Sequence, residues 1–489
     1  MKKNALVIGT GFAGLSAASF LARDGWNVTI LEQHNIPGGR ARKMEADGFT
    51  FDMGPSWYWM PDVFERYFQQ FGKKVSDYYT LQRLDPSYRV YFPNDEMDIP
   101  ADYEQLKQLF EKIEPGSSLA LDRFMEEAAY KYQVGMNKLV FKPGQSLLEF
   151  ADLELARGVF RLDVFQSISK HVQKHFKDSR LRELMEFPVL FLGALPQKTP
   201  ALYSLMNYAD VQLGTWYPIG GMYKIVEAMQ NVAAELGVTF LFNHPVERIN
   251  VKDGRAVSVT AAGKEFTADV IISGADYHHT ETSLLPASYR SYSDQYWNTR
   301  VMAPSSLLYY VGLNKRLKNV PHHTLFFDTD FSVHGKEIYT TPQWPSDPLF
   351  YVSATTVTDS SGAPVNHENL FFLIPIAAGL EGDTEELRDR YFDRILERFE
   401  NRTGNRIRDA IVYKKSFGVS NFKEDYHAFK GNAYGLANTL LQTAVLKPSL
   451  RSKKVKNLFY TGQLTVPGPG VPPSLISGEV VAKQINRYF

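Results

Sequence analysis

A short glycine-rich turn near the N-terminus has the composition and spacing that bring a polypeptide backbone against phosphate groups. It consists of six residues, Gly9-Thr10-Gly11-Phe12-Ala13-Gly14. Gly9 allows a tight turn, Gly11 lets the backbone approach a pyrophosphate, and Gly14 lets a helix pack closely against a strand. A helix that starts in this turn would offer free N–H groups and a positive dipole end to the phosphates. The motif therefore predicts a binding site for a dinucleotide.

The segments around the turn predict a βαβ unit. Residues 5–8 form a continuous apolar run, which is typical of a strand buried on both faces. An apolar pattern at helical spacing covers residues 15–22, and a second strand is predicted at 27–31. Glu32 ends that strand, where a carboxylate accepts hydrogen bonds from the ribose hydroxyls of a dinucleotide. A carboxylate there disfavours a 2′-phosphate, so FAD and NAD fit better than NADP; the alternative is a glycine turn in an unrelated α/β unit.

A second glycine-rich segment follows the predicted βαβ unit after a few residues. It reads Pro37-Gly38-Gly39-Arg40-Ala41-Arg42, and Asp52-Met53-Gly54-Pro55-Ser56 comes soon after it. The paired glycines let the backbone pass close to a cofactor, and Arg40 can neutralise a pyrophosphate; the alternative is a basic surface turn with Arg40 in solvent. Here the chain resembles the flavin amine oxidase and carotenoid desaturase superfamily, which carries a GGR sequence and then a D-x-G-P-like turn beside the flavin. The resemblance implies that the cofactor is FAD, bound in part by Gly39, Arg40, Gly54, Pro55 and Ser56.

A third motif lies near the C-terminus. A short strand at 458–460 precedes Thr461-Gly462-Gln463, and Val466-Pro467-Gly468-Pro469-Gly470-Val471-Pro472-Pro473-Ser474 predicts an ordered, non-helical loop before a helix at 475–485. N–H groups at the helix start suit the electron-rich edge of a reduced flavin. The segment resembles the C-terminal signature of bacterial-type phytoene desaturases, which implies cofactor contacts from Gly462, Val471 and Pro472. Gln463 stands where most flavoproteins of the superfamily carry an acid, so an amide would make that contact.

A central segment completes the predicted cofactor domain. Residues 223–236 predict a helix, 238–242 a strand, and 268–276 a further strand followed by a turn. From the residues alone, this is another βαβ-like unit. The resemblance implies that the segment returns to the FAD domain and that a backbone group near Val246 meets the adenine.

The predicted fold class is α/β, with a Rossmann-like FAD-binding domain assembled from discontinuous segments. We expect this domain to comprise 1–76, 216–289 and 456–489. The two insertions, 77–215 and 290–455, are expected to form one mixed α+β substrate domain that carries a helical, membrane-facing part.

The resemblance implies an FAD-dependent oxidoreductase that acts on CH–CH bonds. The expected activity is that of a phytoene desaturase of carotenoid biosynthesis, which dehydrogenates phytoene stepwise towards lycopene by hydride transfer to flavin. Two alternatives remain: a desaturase of another carotenoid, such as a 1-hydroxycarotenoid 3,4-desaturase, and a soluble flavin amine oxidase. The sequence assigns no catalytic residue. Asp52 and Glu149 are candidate proton acceptors, while oxygen or a quinone as electron acceptor and the oligomeric state stay open.

A hydrocarbon substrate predicts an apolar tunnel and contact with a lipid bilayer. The aromatic and sulfur side chains at 57–60 are candidates for tunnel lining, as are Ser353-Ala354-Thr355 and Pro375, which resemble substrate-facing strand positions. The run with Lys170, His171, Lys174, His175 and Lys177, followed by the uncharged run 187–195, is the candidate membrane contact; the alternative is a solvated helix beside a core segment. We expect a cytoplasmic protein that is peripherally associated with the cytoplasmic membrane, because no run is long enough to span it.

Composition excludes several other classes of function. The net charge is 54 − 54 = 0, so no global electrostatic attraction to nucleic acid is expected. The chain has no cysteine, which excludes thiolate metal sites and cysteine nucleophiles. The pairs His278-His279 and His322-His323 lack spaced carboxylate partners and are expected on the surface or in loops. The sequence accordingly predicts no metal site.

Overall fold

The computed structural model describes residues 2–146, 149, 163 and 165–489. The predicted segment 77–215 therefore includes residues 147, 148, 150–162 and 164, which lie outside the described residues. The strands are β1 Asn4–Ile8, β2 Asn27–Leu31, β3 Lys43–Ala46, β4 Phe49–Asp52, β5 Leu81–Arg83, β6 Tyr88–Phe92, β7 Asp95–Ile99, β8 Trp216–Pro218, β9 Thr239–Leu241, β10 Val246–Lys252, β11 Arg255–Ala261, β12 Lys264–Phe266, β13 Val270–Ser273, β14 Ser305–Leu313, β15 His323–Phe326, β16 Phe350–Ser353, β17 Glu368–Ile376, β18 Ile411–Phe417 and β19 Leu458–Tyr460.

The helices connect these strands and cover their faces. They are α1 Phe12–Arg23, α2 Pro61–Gln69, α3 Tyr103–Ile113, α4 Ser117–Val134, α5 Ile168–His175, α6 Ser179–Glu186, α7 Leu205–Val211, α8 Tyr223–Glu235, α9 Tyr277–His279, α10 Asp294–Asn298, α11 Phe331–Tyr339, α12 Glu385–Thr403, α13 Val419–Tyr426 and α14 Val471–Tyr488. Among the described residues, no helix combines the length and the apolar character that a membrane crossing requires.

A five-stranded sheet joins the N-terminal, central and C-terminal parts of the chain. Its strand order is β19-β13-β1-β2-β9, and every pair is parallel. Val7 in β1 pairs with Ile272 on one side and with Ile30 on the other. Helices pack against this sheet, which explains why its strands are continuous apolar runs rather than alternating patterns. The carboxyl ends of all five strands lie at one edge, as in other parallel sheets that carry a ligand there.

Two of the covering helices, α1 and α14, approach each other unusually closely. A Cβ atom added to Gly478 in α14 would lie 2.4 Å from the carbonyl oxygen of Ala13 and 2.6 Å from Cβ of Ser16. The Ser16 hydroxyl donates a hydrogen bond of 2.7 Å to the carbonyl oxygen of Leu475. Only glycine fits at position 478, so the last helix is held directly against the first.

A seven-stranded mixed sheet joins the two insertions. Its order is β18-β14-β17-β16-β15-β6-β7, and β6 from the first insertion pairs in parallel with β15 from the second. The second insertion contributes the two long strands β14 and β17, which pair in antiparallel orientation along their length. The boundaries that the sequence suggests for the five segments stay a prediction.

The uncharged run 187–195, which the sequence offered as a membrane contact, begins with buried residues. Phe187 and Val189, which begin the uncharged run 187–195, are buried in the hydrophobic core, and Leu190 lines an internal cavity. His171 of the basic run is also buried, whereas Lys170 and Lys174 are exposed. Phe187, Val189 and Ala194 of this run are therefore core residues, and the membrane-facing role of the helical part stays a prediction.

The last helix begins earlier than the sequence suggested. α14 starts at Val471, with Pro472 and Pro473 in its first turn, whereas the sequence predicted a non-helical loop up to Ser474. Proline is compatible with the first turn because its missing N–H would have no intrahelical partner there. Four residues predicted as loop therefore belong to the helix.

The close contact between α1 and α14 yields a prediction. Gly478→Ala places a methyl group against the Ala13 carbonyl, and we expect overpacking to lower the free energy of unfolding by about 1–3 kcal/mol. The thermal midpoint and the amount of cofactor retained on purification should both fall. Arg487→Ala, on the exposed side of α14, is the matched control. A Gly478→Ala protein as stable as the control would contradict the close packing.

Candidate functional site

An internal cavity of about 500 Å³ opens at the carboxyl edge of the five-stranded sheet and extends to the seven-stranded sheet. The predicted cofactor residues that line it are Gly9, Gly11, Phe12, Ala13, Glu32, Gly39, Arg40, Gly54, Pro55, Ser56, Val246, Gly462, Val471 and Pro472. Gly14 does not line the cavity. It lies beneath the first turn, where an added Cβ would be 2.1 Å from the Gly9 carbonyl oxygen. The structure thus brings together motifs that are separated by more than four hundred residues in sequence.

The N-terminus of α1, which follows the glycine-rich turn, borders this cavity and has no side-chain cap. Gly9 has a φ of 91°, a left-handed conformation that favours glycine. Gly11 is the N-cap of α1, and no side chain caps the helix. A Cβ on Gly11 would meet nothing within 4 Å, so the space above it is free. The first-turn N–H groups of α1 therefore form an anion site that the protein leaves open.

Glu32 joins the end of β2 to this turn. Its buried carboxylate accepts a hydrogen bond of 2.8 Å from the N–H of Thr10, one from the Thr10 hydroxyl, and one of 2.9 Å from the N–H of His34. A carboxylate has about four acceptor positions, so at least one is left for a further donor. This arrangement fits a ribose hydroxyl at the mouth of the turn.

Arg40 places a buried cation beside the same turn. Its guanidinium is 5.3 Å from the ring of Tyr426, and its Nε has no hydrogen-bond partner among the described residues. When the side-chain amide of Gln463 is oriented to satisfy its neighbours, its oxygen accepts a hydrogen bond of 3.1 Å from Nη2 of Arg40. Burial lowers the pKa of Arg40, while Asp276 opposes this shift. A buried guanidinium with an unpaired N–H fits an anionic pyrophosphate, and the alternative of a solvent-exposed Arg40 is wrong.

The Gly38-Gly39 pair and Gly54 hold this arginine in place. Gly39 has a φ of 55°, and its Cβ would lie 3.4 Å from Cα of Gly11. A Cβ on Gly54 would be 2.4 Å from the carbonyl oxygen of Arg40. Gly39 is therefore favoured by its left-handed conformation, and Gly54 by its close approach to the Arg40 carbonyl.

The C-terminal motif adds a second open helix start. Gly470 is the N-cap of α14, has a φ of 107°, and has no capping side chain. The Ser477 hydroxyl accepts a hydrogen bond of 3.0 Å from the N–H of Gly462, which ties the preceding turn to the helix. The N-terminal ends of α1 and α14 thus border one cavity, and both lack side-chain caps.

The two candidate proton acceptors lie outside the cavity lining. The Asp52 carboxylate accepts hydrogen bonds from the N–H groups of Met222, at 2.8 Å, and Tyr223, at 2.9 Å, so it caps the start of α8. Burial raises the pKa of Asp52 to about 6. Glu149 accepts from the backbone N–H groups of 144–146. Both carboxylates have structural partners, and neither borders the cavity.

Apolar and aromatic side chains line the other end of the cavity. Trp57, Trp59 and Met60 contribute, as the sequence predicted, but Tyr58 is turned away: its hydroxyl is 3.0 Å from that of Tyr79. The sequence did not identify the remaining lining, since it comes from distant strands and helices: Phe187, Leu190, Met206, Leu308, Leu325, Phe327, Phe331, Leu349, Phe350, Tyr351, Leu373 and Phe422. Pro375 lines this cavity, whereas Ser353 and Thr355 border a separate, smaller one.

Of the two histidine pairs, His322-His323 is not at the surface, whereas His278 and His279 are half-buried. His322 and His323 are both buried, and Nδ1 of His323 is 2.6 Å from the Tyr351 hydroxyl. The ring of His323 stacks on Trp57 with a centroid distance of 4.2 Å. Burial lowers the pKa of His322 to about 3, and that of His323 well below its ordinary value. These neutral rings support the aromatic wall of the cavity.

Comparisons with known proteins agree with this geometry. Residues 12–486 match the family described as flavin containing amine oxidoreductase. The chain is 42% identical over 481 residues to a carotenoid 3,4-desaturase of Haloarcula japonica, covering 98% of this chain and 97% of the relative. It is 32% identical to a zeta-carotene-forming phytoene desaturase of Myxococcus xanthus, covering 99% and 94%. Among solved structures, a double mutant of putrescine oxidase has a TM-score of 0.65 at 14% identity, covering 100% and 99%.

These similarities extend along the whole described fold. The chain belongs to the flavin containing amine oxidoreductase family. Within that family it is a member of the carotenoid desaturases, and its cofactor is FAD. Three features of the cavity fit a large anionic dinucleotide: the unpaired Nε–H of Arg40, the free acceptor position of Glu32 and the two uncapped helix starts.

The burial of Arg40 yields a prediction. Arg40→Met removes the cation but keeps a long apolar side chain, and loss of a charge-assisted hydrogen bond is worth about 1.5–3 kcal/mol. We expect the affinity of the apoprotein for FAD to fall about 10- to 100-fold in a fluorescence titration. Arg248→Met, an exposed arginine near Val246 that is not part of the cavity, is the control. Equal FAD affinity in both variants would remove Arg40 from the cofactor site.

Proposed function

We propose that the protein dehydrogenates an acyclic carotenoid, introducing a double bond next to an existing polyene. This proposal rests on one cavity with two different ends. The predicted cofactor residues line one end, which we call the cradle, and apolar and aromatic side chains line the other end. Bound FAD would accept a hydride from one carbon and, overall, the proton lost from the neighbouring carbon, so that FAD becomes FADH2 as the double bond forms. The predicted cofactor residues at the cradle, from Gly9 to Pro472, are proposed to hold it.

The protein's own contribution is to position the carbon–carbon bond and to exclude water. Glu32 and Asp276 are the acidic residues that line the cavity in the part of the chain that the structure describes, and both accept backbone N–H groups at the cradle end. His334 lines the apolar end, but its Nδ1 accepts the N–H of Leu349, and burial lowers its pKa to about 4. The apolar end is therefore suited to hydrocarbon rather than to a charged substrate.

Two carotenoid substrates are supported to different degrees. The 42% identity to a carotenoid 3,4-desaturase favours desaturation of the 3,4 bond of a carotenoid. The 32% identity to a zeta-carotene-forming phytoene desaturase supports the stepwise conversion of phytoene towards lycopene. We therefore place 3,4-desaturation first and phytoene desaturation second.

A soluble amine oxidase is less well supported. The acids that line the described cavity lie at the cradle, so the apolar end offers an ammonium substrate no carboxylate among the described residues. The similarity to putrescine oxidase is 14% in sequence and shows the fold alone.

Product analysis tests the proposed reaction. FAD-loaded protein in lipid vesicles is supplied separately with phytoene and with an acyclic carotenoid that is saturated at its 3,4 bond, and the pigments are separated by chromatography. We expect a gain of one double bond in the second substrate at a rate at least tenfold higher than in phytoene. Faster conversion of phytoene would reverse the order of the two substrates, and conversion of neither would contradict the proposed function.

A variant that fills the apolar end provides the internal control. Met206→Trp narrows the cavity, and we expect desaturation to fall at least tenfold while bound FAD is unchanged. Leu119→Trp adds the same group at an exposed surface position and should retain full activity.

We further propose peripheral attachment to the cytoplasmic membrane, because a water-insoluble polyene must be drawn from a bilayer. The supporting surface is not the run 187–195 but a group of exposed apolar side chains: Phe165, Val301, Leu441 and Leu446. Two of these side chains are close to each other: the N–H of Val301 donates to the side chain of Gln442, which follows Leu441 in the chain.

Vesicle co-sedimentation tests this surface. Phe165→Asp combined with Leu441→Asp should reduce pelleting with anionic vesicles severalfold while FAD is retained, since charge opposes insertion among acyl chains. Val365→Asp changes an equally exposed valine elsewhere and is the matched control. Identical pelleting of both proteins would place the attachment surface elsewhere.

A further inference from the structure

Three side chains on α4 and α5 converge outside the cofactor cavity. His171 and His175 are one turn apart on α5, and Glu127 comes from the facing side of α4. The ligating atoms of the three side chains all lie within 4.8 Å of one another. Nε2 of His171 is 3.3 Å from Oε2 of Glu127. Two ligand atoms of a tetrahedral Zn²⁺ site, with bonds of about 2.0–2.1 Å, are separated by about 3.4 Å.

The two imidazoles lie side by side, and one of them has an unpaired nitrogen. His171 is buried, and its Nε2 makes no hydrogen bond among the described residues. His175, one helical turn later, is half-buried, and its ring packs against that of His171 at a centroid distance of 5.1 Å. A buried imidazole nitrogen without a hydrogen-bond partner is suited to bind a metal ion.

The surrounding charges are compatible with a bound cation. The Lys131 ammonium is 3.0 Å from the Asp163 carboxylate and is paired with it. Lys174 is exposed and forms a hydrogen bond with the Gln166 side chain. Glu127 is exposed on one side, so an ion can enter from solvent.

We propose that Glu127, His171 and His175 bind a divalent transition-metal ion of the Zn²⁺ class. Two imidazole nitrogens and one carboxylate oxygen suit Zn²⁺, and water would occupy the remaining position. The sequence signal is the His-x-x-x-His spacing, which places both rings on one face of a helix. Because both histidines also belong to a basic run, this spacing alone did not identify a metal site.

The ion would connect α4 to α5, and the chain continues from α5 to a segment of the cavity wall. α6 follows α5 directly and is continued by Phe187, which lines the apolar end. The proposed role is structural: metal binding to the folded state stabilises these helices by mass action.

Metal titration of the FAD-loaded protein tests the proposal. After dialysis against a chelator, Zn²⁺ binding is measured against a competing indicator, and Co²⁺ is added to read the absorption bands of its coordination geometry. We expect one tight site per chain and a thermal midpoint that rises by about 2–3 °C at a hundredfold excess over the dissociation constant.

Three ligand variants and one control complete the test. Glu127→Gln, His171→Ala and His175→Ala should each weaken Zn²⁺ binding at least tenfold and abolish the thermal shift, with FAD content unchanged. Glu127→Gln alters an exposed side chain, so it is informative even if a histidine variant fails to fold. His367→Ala, a histidine far from α4 and α5 in the chain, should bind Zn²⁺ normally. Zn²⁺ binding that survives all three ligand substitutions, or the absence of a tight site in the unmodified protein, would overturn the proposal.

Discussion

The contact between the first and last helices is the constraint on which the rest of the site depends. Gly478 lets α14 approach α1 to a distance at which any larger residue would meet the Ala13 carbonyl. Because the two helices lie together, their uncapped N-terminal ends border the same cavity. The strand before α14, β19, is thereby added to the edge of the parallel sheet next to β13. A dinucleotide site built from the two ends of the chain requires this contact.

The charged side chains that line the described cavity, Arg40, Glu32 and Asp276, all lie at its cradle end. Arg40 is buried with an unpaired N–H, and burial raises the pKa of the neighbouring Asp276. Removing such groups from water is costly unless hydrogen bonds and opposite charges offset it. An anionic cofactor provides that compensation, so cofactor binding and the stability of this region are coupled. In the described part of the chain, the apolar end carries no comparable charge, so the hydrocarbon and the cofactor would bind to chemically different ends of the cavity.

The sequence predicted the elements whose signals are local. The strand at 458–460 has the predicted bounds, and the first βαβ unit begins and ends within a few residues of its prediction, because apolar runs and glycine turns act over short distances. Fourteen of the fifteen predicted cofactor residues line the cavity, since the motifs specify backbone geometry. The features that the sequence did not predict depend on packing between residues that are far apart in the chain. The burial of His323, the cap that Asp52 provides for α8 and the core position of Phe187 depend on partners far away in sequence.

The central claim is that one cavity holds both the flavin and the carotenoid, so that the two react directly. An anaerobic single-turnover measurement tests it: FAD-loaded protein is mixed with the carotenoid that it desaturates, and flavin absorbance is followed together with the formation of the new double bond. The account predicts that oxidised flavin disappears at the same rate as the double bond forms, with one flavin reduced per double bond. Formation of the double bond while the bound flavin stays oxidised would contradict it.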